Sequence, residues 1–120
     1  MNDRITVLNF QDGQVGLTLS TLYRYFYVPF DVTVVYMEAG ASADDTGLTV
    51  DLNDDGATAI AALACATAAT PGRWQSTHVG GTETPVRIAA GSLCSLDANS
   101  AAVDTDICVT LWLLIGEVSA

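Results

Sequence analysis

Along most of this chain apolar residues recur at every second position, while the three- and four-residue spacing of an amphipathic helix is rare. Successive side chains of an extended strand leave on opposite faces, so a period of two marks strands that bury one face. Arg4–Asn9 alternates Ile5 and Val7 with Thr6 and Leu8 and closes at an Asp12-Gly13 turn; Val15, Leu17 and Leu19 then share a face. Thr21–Val28 sets Leu22, Arg24, Phe26 and Val28 against Tyr23, Tyr25 and Tyr27, and Pro29, which has no N–H to donate, ends that ladder. Two segments are apolar on both faces. Asp31–Glu38 opposes Val32, Val34 and Tyr36 to Val35 and Met37, and Ile107–Ile115 opposes Ile107, Val109, Leu111, Leu113 and Ile115 to Cys108, Thr110, Trp112 and Leu114. Strands of that kind lie inside a sheet or are covered twice, and for the last strand another subunit is one candidate cover.

Thr46–Ile60 reads as a hairpin: Leu48, Val50 and Leu52 alternate with Thr49 and Asp51, and Asn53-Asp54-Asp55-Gly56 is a turn cluster. Asp51, Asn53 and Asp55 also stand at the alternate positions that begin a calcium loop, but the twelfth position, where such a loop places a bidentate glutamate, is Ala62. The hairpin is the better reading, with an exposed acidic turn. Residues 57–70 are rich in alanine, which favours helix, yet their threonines and isoleucine and the lack of any charged face favour a short strand at 58–63 followed by loop; helix stays open as the alternative.

Small-residue stretches at 39–47 and 98–106 read as connections, and Pro71-Gly72 as a turn leading into a polar region with Trp74 and His78. Trp74 there either closes one end of a core or serves recognition. Pro85–Ala89 points Val86 and Ile88 inward and Arg87 outward, and Ser92–Asp97 follows. Seven to nine short strands separated by turn signals predict a single all-β domain over residues 1–120, an antiparallel β-sandwich of jelly-roll type, with residues 1–12 as an N-terminal arm.

Half of the 120 residues are hydrophobic, which excludes a disordered chain. Fourteen carboxylates against four arginines and no lysine leave a net charge of −10. Nucleic acid and anionic membrane surfaces are therefore not expected as partners, because both require a basic face; a neutral or basic partner is. No apolar run reaches the roughly 20 residues of a membrane helix, and the start MNDR is not that of a signal peptide, so a product made in the cytoplasm is expected. Cys65, Cys94 and Cys108 form no CxxC pair and have only His78 as a possible co-ligand, so all three are read as small buried apolar residues, with no metal and no cofactor. A hydrolytic triad would have to use His78 as its base, and no GxSxG, HExxH or phosphate loop occurs; an enzyme is not expected.

Two runs, TVVYMEAGASADDTGLTVDLNDDG and PVRIAAGSLCSLDANSAAVDTDICVTLWLLIGE, carry a resemblance that spans Thr33 to Glu117. The chain resembles small β-sandwich virion proteins of tailed bacteriophages, in which a TG-L-x-V-D-x-N-x-x-G hairpin, an A-A-G-S-x-x-S-L-D segment and a V-x-L-x-L-x-G-E terminal strand recur. These motifs mark architecture and not a catalytic site. The resemblance implies a capsid cement or decoration protein, or the head of a fibre or spike. The cement role is expected because these residues contain no stalk, coiled coil or collagen-like segment. It implies a homotrimer on the capsid surface in contact with the major capsid protein, with Tyr23, Tyr25, Tyr27, Trp74 and Trp112 as candidate interface residues. The rival reading is a carbohydrate- or receptor-binding head, with Trp74, His78 and the three tyrosines as stacking platforms.

Overall fold

A computed structural model describes residues 5–12, 21–44, 47–99 and 107–115. Among the described residues nine strands run in chain order: β1 Ile5–Asp12, β2 Thr21–Tyr27, β3 Val32–Ala41, β4 Thr49–Asp54, β5 Ala57–Ala64, β6 Gly72–Gln75, β7 Val86–Ile88, β8 Leu93–Asn99 and β9 Ile107–Ile115. They form two sheets, one in the order β1-β9-β3-β6 with β7 also on β3, the other β2-β8-β4-β5, and every strand pair is antiparallel. Apart from the added β7, this is the eight-strand, double-sheet order of a jelly roll, the fold class expected from the period of two. Among the described residues the chain changes sheet at most links, and β4–β5 is the one consecutive pair of strands that hydrogen-bond to each other, β6 and β7 each pairing with β3 instead.

The core lies between the sheets. Val32, Val34, Met37 and Ala39 of β3 and Ile107, Val109, Leu111 and Leu113 of β9 meet Val50 and Leu52 of β4, Ile60 of β5, and Cys94, Leu96 and Ala98 of β8. Met37, Leu48, Leu52, Ile88 and Leu111 are among the largest side chains fully withdrawn from solvent. Each of them contributes about 1.5–3 kcal/mol by leaving water. The two strands read as apolar on both faces are the interior strands of their sheet, since β9 lies between β1 and β3, and β3 between β9 and the β6/β7 side. The register of β3 on β9 shifts between Val34 and Tyr36, which explains how Val34 and Met37, three positions apart, both point inward. Val35, Thr33 and Leu114 are buried too, although Val35 and Leu114 are not in the inter-sheet core.

Several boundaries differ from those expected. Residues 57–64 are strand throughout, so the helical alternative falls: an edge strand paired to β4 wins over alanine's intrinsic preference. Asn53 and Asp54 belong to β4, leaving Asp55-Gly56 as the turn; both have positive φ, 49° and 85°, the two-residue hairpin geometry for which Asp-Gly is suited. β3 runs on to Ala41, shortening the connection expected from residue 39. Gly72–Gln75, expected within a turn-rich region, is a strand on β3, and a side chain at Gly72 would overlap the carbonyl oxygen of Ala64. The glycine read as a turn signal instead permits close passage of two backbones. Residues 5–12, expected as an arm, pair along their length with β9. Cys65 and Cys94 are buried, but Cys108 is only half-buried because it sits on the outward parity of β9. The Val15–Leu19 segment, the turn at Gly13 and most of the 98–106 connection lie outside the described residues.

Candidate interaction surfaces

Because one face of each sheet is committed to the core, the opposite parity of every strand faces outward, and the chemistry of the molecule is concentrated on two outer faces. On the β2-β8-β4-β5 face, Tyr25 and Tyr27 are 61% and 70% exposed. They pair across the ladder with Ser95 and Leu93, and Tyr23 holds the register position opposite Asp97. Asp97 in turn faces Asp51 of β4, and Ser95 faces Asn53. The acidic stretch is therefore laid across the sheet beside the tyrosine strand.

The three residues at calcium-loop spacing are each used within the sheet. Asp51 Oδ1 accepts the backbone N–H of Ala62. Asn53 Nδ2 donates to Asp97 Oδ2 at 2.6 Å and to Ser95 Oγ at 3.4 Å. Asp55 Oδ1 accepts from the Leu93 N–H at 2.9 Å, while the Asp55 N–H donates to the Leu93 carbonyl at 2.9 Å, tying the hairpin tip to the start of β8. Among the described residues no group of three or more His, Cys, Asp or Glu side chains is placed to hold a metal ion. Asp54 lies on the inward parity opposite Cys94, and its Oδ1 is screened from solvent without a hydrogen-bond partner among the described residues. Burial first, then the nearby Asp54 and Asp55 carboxylates, push the Cys94 thiol up to about 11, so it is protonated at neutral pH.

The outer face of the other sheet is aromatic. Trp112 of β9 is the direct partner of Tyr36 on β3 and of Val7 on β1, so the three form one row, in which Val7 is 53% exposed. The Tyr36 and Trp112 rings lie 4.7 Å apart at 39°, within the range where aromatic pairs attract beyond simple burial. Tyr36 Oη donates to Glu38 Oε2 at 2.6 Å, and Arg73 Nε reaches the same oxygen at 2.7 Å. The Tyr36 hydroxyl and the Arg73 guanidinium hold the Glu38 carboxyl below its ordinary range, and burial with the Glu38 charge raises the Tyr36 phenol.

Trp74 is not on either outer face. It pairs with Met37 and, partly buried, packs against the core. His78 lies exposed in the short 3-10 turn Thr77–Val79, which is capped by the buried Ser76: Ser76 Oγ accepts the His78 N–H at 3.2 Å, and the Ser76 N–H donates to the Val35 carbonyl at 3.0 Å. Trp74 and His78 thus belong to different environments and do not form a shared platform with the tyrosines. Tyr36 is the interface candidate that sequence reasoning missed. Counted from Val32 and Val34 it falls on the inward parity, and only the register shift turns it out beside Trp112.

A double-sheet jelly roll with one acidic, tyrosine-bearing face and one aromatic face is what these observations define. In comparisons with protein-family models, curated proteins and solved structures, the chain finds no match.

Proposed function

We propose that this chain is a structural protein of a phage virion, a capsid cement or decoration protein that stabilises the shell as a homotrimer bound to the major capsid protein. The observation that carries the reading is the placement of aromatic residues on opposite outer faces, Tyr25 and Tyr27 on one and Tyr36 and Trp112 on the other. A sandwich with contact residues on both sides can bridge two neighbours at once, and Tyr and Trp supply large contact area at low entropic expense. Jelly rolls serve as viral capsid domains, which supports the reading by analogy of fold. The protein binds the assembled lattice in preference to free subunits, so its binding free energy adds to shell stability by mass action.

Sedimentation of the protein alone and with capsids tests this. A trimer free or on the shell, together with a higher disruption temperature of decorated capsids, is the expected outcome; a stable monomer in both conditions overturns it. The second reading, a carbohydrate- or receptor-binding head, draws on the exposure of Tyr25 and Tyr27 and on the use of jelly rolls as lectins. It loses Trp74 as a platform, because that ring packs on the core. Binding on a glycan array would favour it over the cement role.

A further inference from the structure

β6 passes the end of β5 so closely that a side chain at Gly72 would overlap the Ala64 carbonyl oxygen. The orders β1-β9-β3-β6 and β2-β8-β4-β5 therefore put β1 and β2, the opposite terminal strands, together on the other side of the sandwich. The two sides are built differently. β5 is bulged at Ala62, whose N–H donates to the Asp51 carboxylate. β6 and β7 are only four and three residues long, and the Glu83 N–H donates to the Gln75 carbonyl at 3.1 Å across the end of β6. Bulges, short strands and covering loops are the means by which sheet edges are kept from contact with other chains. β1 and β2, by contrast, run for eight and seven residues, and their ladders with β9 and β8 hold one register without a shift.

Two further observations fall on the β1/β2 side. The large hydrophobic side chains exposed among the described residues are Val7, Tyr25, Tyr27 and Phe30, and all belong to β1, to β2 or to the link that leaves β2. The second is charge. β1 and β2 carry one charge each, of opposite sign, Asp12 and Arg24. Residues 1–28 as a whole set Asp3 and Asp12 against Arg4 and Arg24 and are neutral, so the net charge of −10 belongs entirely to residues 29–120. Identical acidic chains repel one another through that remainder and approach at least cost where the charge sums to zero.

We infer that the β1/β2 side is where one copy of this chain meets another, the second copy straddling the ends of both sheets. The inference rests on the homotrimer reading and says where its copies touch. Val7 projects outward from one sheet and Tyr27 from the other, so they mark the two rims of the contact. Sheets stacked about 10 Å apart bring both rims within the roughly 800 Å² that each partner of a stable interface buries.

The association state of the full chain is read by sedimentation velocity in solution and by electron microscopy of decorated capsids. Val7→Glu and Tyr27→Glu each place a carboxylate in the contact and should weaken the trimer about tenfold or more. Thr58→Glu, which adds the same charge at an exposed position of β5, should leave it unchanged. Val7 and Tyr27 are both more than half exposed, so a charge there is compatible with the fold. Phe30→Ser takes the place of either variant that circular dichroism shows to be unfolded. Trimers that persist with either variant, or that Thr58→Glu disrupts equally, overturn the inference and leave the cement reading standing. A parent that is monomeric both in solution and on capsids overturns both.

Discussion

The Asp51 carboxylate on β4 accepts the N–H of Ala62 on β5, and Ala62 stands at φ 48°, in the left-handed region. The register between the two strands shifts here: Val50 faces Leu63 and Leu52 faces Ile60, so Asp51 opposes two residues of the edge strand. This is a β-bulge, with the carboxylate holding the extra residue.

An alanine in left-handed backbone carries a steric penalty of about 1–2 kcal/mol, partly offset on substitution by the greater freedom of glycine in the unfolded chain. Ala62→Gly should therefore stabilise the protein by about 0.5–1 kcal/mol, and Asp51→Ala should destabilise it by about 1 kcal/mol. Urea midpoints of the two variants against the parent check both signs.

Gly72 reports on the opposite constraint. A methyl group there would meet the backbone of Ala64 and the Leu63 side chain, and backbone cannot yield as a flexible side chain does. Gly72→Ala should destabilise by about 1–3 kcal/mol, the range for overpacking. Gly56→Ala, where no atom lies close but φ is 85°, should lose about 1 kcal/mol through strain alone. Thermal melts give the size of the two losses and amide hydrogen exchange locates them, at the β4–β5 hairpin tip for Gly56→Ala and where β6 passes the end of β5 for Gly72→Ala.

Acid should weaken the fold through Glu38 and Asp31. Glu38 is held low by Tyr36 and Arg73, and Asp31 by the Ala90 N–H and Arg87. A carboxylate with a lowered folded value binds fewer protons in the native than in the unfolded state. Its contribution is then fully present above the unfolded value, about pH 4–4.5, and is lost as pH falls through the folded one. Both ion pairs are substantially exposed, so the effect is modest and screened by salt. Glu38→Gln should flatten the acid limb of a stability-versus-pH curve measured by denaturant titration. The phenol of Tyr36, raised, acts in the other direction: its contribution is present below its ordinary value of about 10 and is lost as pH rises above it.

The thiols should separate by reactivity. Cys65 and Cys94 are buried and so shielded from reagent, and Cys94, pushed up to about 11, presents no thiolate at pH 8. Titration with a chromogenic disulfide should modify Cys108 first, in the native protein, and the other two only at the rate of unfolding. Mass spectrometry of the labelled peptides identifies the order.

How far the sequence could be read depended on whether a residue's partner is near it in the chain. The β4–β5 hairpin was legible because its strands are consecutive and Asp55-Gly56 suits the turn that joins them. The extent of β9 was legible to the residue from its alternation, and of the two readings its double apolar pattern allowed, an inner strand or one covered by another subunit, the first describes its place between β1 and β3. β6 was not: its four residues carry turn chemistry, and they become a strand only because β3 offers them a ladder. Nor could Tyr36 be assigned to the Trp112 face, because parity beyond Val34 depends on a register shift set by the pairing with β9.

Alternation and turn residues by themselves determined an all-β sandwich, and the acidic, lysine-free composition fixed its net charge of −10. Those properties follow from side-chain direction and net charge, which are local or summed quantities. Tertiary structure alone decided which strands are neighbours, such as β1 with β9 from opposite ends of the chain. It also placed Asp51 against Asp97 and set Trp74, partly buried, against the core and Trp112 on the outer face. The physical reason is that ladder pairing between strands distant in the chain is decided when each sheet assembles, whereas alternation within one strand says which face a residue takes and not which strand lies beside it.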